Sequence, residues 1–193
     1  MVLPNPFGAW TVSYTHLIPA AALPDGLVVQ FVKTASMPAR HHALETIGRA
    51  IHHEEKPLPA ADAERLKGLW DWWSSQQAGA DLTAFGWWMS SPALDAPWRL
   101  STLPRILEMT GGALDWDHAV CESLADLVKE SPEQVAGCLE RVLESDLRNR
   151  IHRCAKSIRK ILEALRAGPA VETAKKIAAR LVARKYPEFS DLM

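Results

Sequence analysis

The chain has 193 residues, 48 % of them hydrophobic, and a formal net charge of −1 at pH 7. This length and apolar content predict a single folded domain with a sizeable core and exclude a disordered chain. The near-zero net charge excludes a global attraction to nucleic acid or to anionic lipid, so any such affinity has to be local.

Signals of secretion and membrane insertion are missing from the sequence. No apolar run approaches the roughly 20 residues that a membrane helix needs, and no basic segment precedes an apolar one at the start. The three cysteines, Cys121, Cys138 and Cys154, form no CxxC pair and cannot all pair with one another. This cysteine usage is typical of a reducing compartment, so the sequence predicts a cytoplasmic protein without membrane contact.

Residues 1–24 are rich in proline and alanine and hold no sustained helical or strand period, which predicts an irregular segment. The hexapeptide VSYTHL, residues 12–17, is also what one frame of a transposon end sequence used in sequencing libraries encodes. One hypothesis is therefore a chimeric or artefactual start, with the real gene extending upstream. The alternative is an ordinary flexible terminus ahead of a single α-helical domain at residues 25–193.

The first half of that domain reads as helices separated by prolines. PARHHALETIGRAIHH begins with Pro38 in its first turn and ends before two further prolines. The next helix starts near Pro59 and carries one apolar stripe at helical spacing, formed by Leu66, Leu69, Trp70 and Trp73. A further helix can be capped by Asp81, and the residues sharing its apolar face are Leu82, Phe85 and Met89.

Later helices follow at shorter intervals. Residues 98–109 form a helix with Pro104 inside it, which predicts a kink or a late start, and Gly111 and Gly112 end it. Asp115 or Asp117 opens the next helix, which runs to residue 129.

Three helices complete the predicted domain. Ser131 and Pro132 begin the first, whose buried face consists of Val135, Cys138, Leu139 and Val142. The second starts near Leu147 or Ile151, and its stripe consists of Ile158, Ile161, Leu162 and Leu165. The third helix follows the AGP stop at residues 167–169. Its inward-facing residues are Val171, Ala174, Ile177, Ala178 and Leu181.

These elements predict an all-α fold, since no strand pattern competes with them. Loops of two to eight residues suit antiparallel neighbours. The cysteines are spaced 17 and 16 residues apart, one on each of three successive helices, as expected when similar helices stack in order. We therefore predict an irregular stack of antiparallel helical hairpins, a HEAT-like solenoid, with a closed helical bundle as the alternative.

The paired histidines are the first candidate metal ligands. His41 and His52 are eleven residues apart and share a helix face, but at 1.5 Å per residue they stand about 16 Å apart along the axis. A zinc ion needs ligands at about 2.0 to 2.3 Å, so one helix cannot bring both to one ion. His41, His42, His52 and His53 are therefore expected to be solvent-facing or helix-end residues.

The pair His118 and Cys121 is the second candidate. At i and i+3 on a helix, next to Asp117, they could act as two metal ligands or as a thiol and its base. A small metal-binding protein or enzyme centred on this pair is one alternative function, and a buried structural thiol is the other interpretation. The catalytic motifs GxSxG, HExxH, the P-loop and GxGxxG are absent, so we predict a non-enzyme without cofactor or metal.

Charge is unevenly distributed along the chain. Residues 108–140 hold eight acidic residues and one basic, whereas residues 141–185 hold thirteen basic and four acidic. The basic residues form two stripes at helical spacing, Arg153, Lys156 and Lys160 on one helix and Lys176, Arg180 and Arg184 on the next. These stripes could meet an acidic protein partner, the acidic helices of the same chain, or the phosphates of a nucleic acid, which is a second alternative function.

Aromatic residues concentrate in AFGWWMSSPALDAPW, residues 84–98. Phe85 and Trp88 lie at i and i+3 on a short helix, and large rings suit the irregular gap where a short helix meets longer ones. We predict a packed joint at this place rather than a ligand pocket. Trp72 and Trp87 point away from the apolar stripes, which makes them candidates for contact with a partner.

Several segments together resemble a known kind of protein: RHHALETIGRAI, LWDWW, AFGWWMSS, RLSTLPRILEMTGG and the C-terminal YPEFSDLM. Over residues 31–193 they resemble the C-terminal α-helical region of large, mostly uncharacterised bacterial proteins, where such a tail follows a catalytic or ATP-binding domain. Some of those proteins carry sirtuin-like or P-loop NTPase domains and are suspected of antiviral defence. The resemblance implies a non-catalytic scaffold or protein-interaction module, whose partner is another protein or an N-terminal domain of the same polypeptide.

Overall fold

The computed structural model describes residues 26–54, 56–76, 80–144 and 149–193. All regular secondary structure in these ranges is helical, which confirms the predicted all-α class. The segment predicted to be irregular or artefactual, residues 1–24, lies outside the described residues. Leu147, one of two predicted starts for the same helix, lies outside them as well.

The helices follow one another along the chain much as predicted. They are α1 (Leu27–Thr34), α2 (Met37–His52), α3 (Ala60–Gln76), a first 3-10 helix (Ala80–Phe85), α4 (Gly86–Ser90), α5 (Ala96–Met109), α6 (Asp117–Leu127), α7 (Pro132–Glu144), α8 (Arg150–Arg166), α9 (Val171–Ala183) and a C-terminal 3-10 helix (Pro187–Leu192). The apolar stripes predicted for α3, α7, α8 and α9 are buried, except that Val171 is half-buried. The C-terminal 3-10 helix was not predicted; it packs on α9, and its Phe189 is fully buried.

Helix α5 contains an internal proline, and a contact from the neighbouring helix α7 compensates for the hydrogen bond that this proline cannot make. The helix begins at Ala96, two residues before the predicted start, because the Asp95 side chain caps it by accepting from the Trp98 N–H at 2.9 Å. It continues through Pro104, which has no N–H to offer the Leu100 carbonyl one turn earlier. The Cys138 thiol of α7 lies 3.5 Å from that carbonyl oxygen and donates to it. The tertiary contact thereby supplies a donor that the proline lacks.

The connection from α5 to α6 takes an unusual backbone path. Gly111 and Gly112 end α5 with φ of 61° and 84°, as predicted. Helix α6 then begins at Asp117, and its N-cap position is held by Trp116, with φ 57° and no side-chain capping bond. Left-handed backbone is rare for a residue as large as tryptophan, so surrounding contacts have to hold it there.

The predicted aromatic joint is confirmed. Phe85 and Trp88 are fully buried, and their ring centroids lie 4.9 Å apart. Trp70 of α3 packs edge-on to Phe85 at 4.6 Å, while the Trp88 indole donates to the Leu44 carbonyl of α2 at 3.0 Å. These contacts join α2, α3 and α4 around one aromatic cluster, and each large ring contributes about 150 to 250 Å² of buried surface.

Helices pack both on their sequence neighbours and on the next helix but one. Helix α6 packs mainly on α8 and α4, α5 packs on α7, and α8 packs on α9. Helix α2 packs on α4 and on the first 3-10 helix. Helix α6 therefore lies between α4 and α8.

A glycine exchange tests the close approach that fixes this region. A Cβ atom at Gly86 would lie 1.8 Å from the carbonyl oxygen of Asp115, whereas one at Gly137 in α7 would meet open space. We expect Gly86→Ala to lower the free energy of unfolding by about 1 to 3 kcal/mol or more, because the α5–α6 connection must move. Gly137→Ala is the matched control and should raise it by up to about 1 kcal/mol. Urea unfolding of both variants measures this, and equal effects would contradict the contact.

Candidate functional site

The α5–α6 connection is anchored from two sides and presents an aromatic side chain to solvent. The Asp115 N–H donates to the Thr83 carbonyl at 3.0 Å, and Gly86 lies directly against the Asp115 carbonyl. The next residue, Trp116, is 42 % exposed. Its ring packs at 4.6 Å from that of Trp87 and at 5.4 Å from that of His118.

Trp116 lines a polar cleft of about 890 Å³. The cleft lies between α2, the first 3-10 helix, the α5–α6 connection and the start of α8. Its charged and aromatic lining residues are His41, Glu45, Asp115, Trp116, Asp117, His118, Arg150 and Arg153. This set mixes both signs of charge with one large exposed ring.

A buried ion-pair network forms the floor of the cleft. Arg150, only 1 % exposed, donates through Nε to the Asp117 carboxylate at 3.0 Å. Its two other nitrogens donate to backbone carbonyls, Nη1 to Val142 at 2.8 Å and Nη2 to Gly112 at 2.5 Å. Arg153 donates to the same Asp117 oxygen at 2.6 Å from the cleft side. Buried charges paired and hydrogen-bonded in this way are rigid, because breaking one partner leaves an uncompensated charge.

The opposite wall is built from α2. His41 Nε2 lies 2.9 Å from the Asp115 carboxylate, which also accepts from the Thr83 hydroxyl at 3.1 Å. Glu45, one turn further along α2, accepts from the Trp116 indole at 3.4 Å and from Arg49 at 2.6 Å. His41 thus lies half-buried on the cleft wall within contact distance of Asp115, a pairing that the expected solvent-facing or helix-end position did not include.

The predicted basic stripes are largely paired with neighbouring parts of the chain. Lys160 donates to Asp126 at 2.8 Å and Arg180 lies 3.7 Å from Glu140. Arg184 donates to the carbonyls of Leu143 and Glu144. Together with Arg153 on Asp117, four of the six stripe residues contact acidic groups or carbonyls of other elements. Lys156 and Lys176 are exposed.

The prediction that Trp87 faces a partner is corrected by the structure. Trp87 is 8 % exposed and packs against His52 and Trp116. All five residues of α4 are buried, because this short helix is covered on several sides, and a helical wheel with one solvent face does not apply to it. Trp72 is half-buried, edge-on to Trp73 and 5.7 Å from it.

His118 and Cys121 face different environments. His118 lines the cleft beside Trp116, whereas Cys121 is fully buried, with the Cys154 thiol of α8 as its neighbour. Interaction with Cys154 and burial raise the pKa of the Cys121 thiol well above its usual value, which disfavours a reactive thiolate. Within the described residues, no cluster of three or more His, Cys, Asp or Glu is placed to hold a metal ion.

Sequence reasoning missed most of the cleft. Asp115 is one of two predicted helix starts, no prediction concerns Trp116, and Arg150 enters only as one of the thirteen basic residues of its half. The available signal was DWD, two residues after the helix-ending glycines, where a tryptophan between two aspartates precedes a helix start. Pairing of these residues with His41 and Arg150 depends on tertiary packing, which the local pattern does not contain.

Comparison with known protein families, with curated proteins and with solved structures gives no match to this chain. Among the described helices, none combines the length and the apolar character that crossing a bilayer requires.

Removing the carboxylate at the floor of the cleft should lower the free energy of unfolding much more than removing a carboxylate at the surface. We expect Asp117→Asn to lower the free energy of unfolding by about 3 to 5 kcal/mol, because Arg150 loses its counter-charge while buried. Asp126→Asn breaks an exposed ion pair with Lys160 and should change it by about 1 kcal/mol or less. Urea denaturation monitored by tryptophan fluorescence compares the two, and similar losses would show that the buried network is not special.

The three thiols should resist modification in the folded protein. Burial raises the pKa of Cys138 from 9.0 to about 11, so its thiolate fraction at pH 8 is about 100-fold below that of an exposed thiol. Cys121 and Cys154 are buried as well. We expect slow reaction with Ellman's reagent at pH 8 in buffer and rapid reaction of all three thiols in urea. A thiol that reacts at the rate of free cysteine without denaturant would contradict the packing.

Proposed function

We propose that this chain is a non-catalytic α-helical interaction module and that the Trp116 cleft is the surface that contacts its partner. The observation that carries the proposal is the exposed Trp116 ring, held in a left-handed backbone conformation at the rim of a rigid polar cleft. Strain of this kind persists where surrounding contacts over-determine it, and it concentrates at sites of function.

The composition of the cleft supports a protein partner. Interfaces have few energetically dominant residues, most often Trp, Tyr or Arg, surrounded by polar groups that exclude water. Here Trp116 is the aromatic anchor, and Glu45, Asp115 and Arg153 provide a polar rim of mixed sign. The Asp117–Arg150 pair lies below these residues and joins the first residues of α6 and α8. Trp116 is therefore held next to rigid helix ends.

The charges support protein over nucleic acid as the partner. Phosphate recognition uses Lys and Arg side chains that are available to neutralise the backbone. Four of the six predicted stripe residues are instead engaged with acidic groups or carbonyls of this chain. The acidic and basic halves therefore neutralise each other across helix contacts, and the cleft itself carries both signs.

A stacked arrangement of hairpins is the architecture we propose for presenting this surface. In a HEAT-like stack, each helix contacts its partner in the hairpin and the equivalent helix of the next hairpin. The series α4, α6, α8 and the pair α5, α7 support this, since alternate helices pack on one another. A closed bundle is the alternative arrangement of the same helices.

The partner that we propose is a domain preceding this chain on the same bacterial polypeptide. The resemblance of residues 31–193 to C-terminal helical tails supports this, because such tails follow a catalytic or ATP-binding domain. Contact with that domain would make the helical chain a scaffold that orients or restrains its neighbour.

The test begins with long, untagmented sequencing reads across the source locus. An upstream domain in the same frame would be expressed as a separate chain, and its dissociation constant for this protein measured by calorimetry. We expect Trp116→Ala to raise that constant about 30-fold or more, because truncating an anchor costs about 2 kcal/mol or more.

Met193→Ala serves as the control, since Met193 is also an exposed apolar side chain and does not line the cleft. It should leave the dissociation constant within about twofold of the wild-type value. Equal effects of the two substitutions would reject the cleft as the contact surface. A locus without an upstream domain would reject the proposed partner.

A further inference from the structure

A second cleft, of about 450 Å³, lies at the C-terminal end of α4. It is bounded by the end of α2, the α4–α5 connection, the first turns of α5 and one face of α6. The polar residues lining it are His52, Ser90, Arg99, Glu122, Ser123, Asp126 and Glu130. None of these lines the Trp116 cleft, so the two clefts are separate sites.

Arg99 is the cation of this second cleft and is 8 % exposed. Its Nη1 donates to the Ser123 hydroxyl at 2.6 Å and weakly to the Met89 carbonyl at 3.4 Å. Its Nε is buried and has no hydrogen-bond partner in the described part of the chain. Its Nη2 forms no hydrogen bond within the described ranges and is not among the fully buried nitrogen atoms, and Arg99 itself lines the cleft.

No carboxylate in the described ranges forms an ion pair with Arg99. Asp95, whose charge acts on it from a distance, accepts from Lys67 at 2.5 Å and from the Trp98 N–H at 2.9 Å. Burial lowers the pKa of Arg99, but a guanidinium remains protonated at neutral pH. Buried charges in proteins are normally paired. Arg150 follows this rule through its ion pair with Asp117, whereas Arg99 has no carboxylate partner among the described residues.

The rim of this cleft is acidic. Asp126 is paired with Lys160 at 2.8 Å, whereas Glu122 and Glu130 are exposed and form no ion pair within the described residues. His52 lies 3.1 Å from the Ser90 hydroxyl, and burial lowers its pKa, so it adds no second positive charge near pH 7. The cleft thus places one buried cation beneath a negative rim.

We propose that the Arg99 cleft binds a small zwitterion that carries one carboxylate and one ammonium group. The carboxylate would accept from the free Nη2 of Arg99, and charge-assisted hydrogen bonds of this kind are the strong ones. The ammonium group would lie at the rim near Glu122 and Glu130. A phosphate or a dicarboxylate fits less well, because its extra negative charge would face the same glutamates. This site is independent of the proposed docking function at Trp116.

The first experiment compares two matched series of small molecules on the wild-type chain. Glycine, β-alanine, 4-aminobutyrate and 5-aminopentanoate carry both groups, and acetate, propionate, butyrate and pentanoate lack the ammonium group. Calorimetry and the shift of the unfolding temperature measure binding. We expect saturable binding of at least one amino carboxylate, about tenfold tighter than its matched carboxylate.

The second experiment uses three variants. Arg99→Met should abolish binding while leaving the unfolding temperature without ligand unchanged or higher, because a buried unpaired charge is replaced by an apolar group. Arg105→Met changes an exposed arginine on the same helix and should bind as wild type. Glu122→Gln should remove most of the tenfold preference for the amino carboxylate, and this arm stands even if Arg99→Met fails to fold.

Three results would overturn the proposal. The first is no saturable binding of any amino carboxylate up to about 10 mM, where even millimolar affinity would be visible. The second is equal binding by wild type and Arg99→Met. The third is equal or tighter binding of the plain carboxylates or of inorganic phosphate, which would make the site a simple anion site.

Discussion

The buried ion pair between Arg150 and Asp117 is the interaction on which the described structure most depends. The Arg150 guanidinium bonds to the first residue of α6, to a carbonyl of α7 and to the Gly112 carbonyl after α5, while its own backbone begins α8. One side chain therefore connects four consecutive elements. Because both charges are removed from water, neither can be left unpaired without a large loss of stability, so the geometry is fixed more tightly than apolar packing alone would fix it.

The same constraint shapes the cleft above it. The α5–α6 connection is held by Arg150 at Gly112 and by the approach of Gly86 to the Asp115 carbonyl. Between these anchors the backbone passes through a left-handed Trp116, and the indole is turned outward instead of into the core. The rigid floor and the exposed ring thus have one cause, the anchoring of the α5–α6 connection on both sides of Trp116.

The two buried arginines illustrate opposite uses of one residue type. Arg150 is satisfied by a carboxylate and two carbonyls, and it serves the fold. Arg99 is nearly as buried, has a hydroxyl and one distant carbonyl as partners, and opens onto a cleft with an acidic rim. A guanidinium without a counterion costs stability, so its retention is understandable if a ligand supplies the missing charge. The fold also handles its internal proline by a tertiary contact, since the Cys138 thiol meets the carbonyl that Pro104 leaves without a donor.

The sequence by itself determined the helical class, the helix order and most buried faces. Spacings of three and four residues place apolar side chains on one side of a helix whatever the neighbours are, so Leu66, Trp70, Ile158 and Leu162 were predictable as core. It also determined the breaks, because proline and glycine act locally on the backbone. Only the tertiary structure decided that Trp87 is buried, that Trp116 is exposed, and that Arg150, Arg99 and His41 differ in their partners. Those outcomes depend on groups 10 to 74 residues apart in the chain, and local periodicity carries no information about which distant charge or carbonyl a side chain will meet.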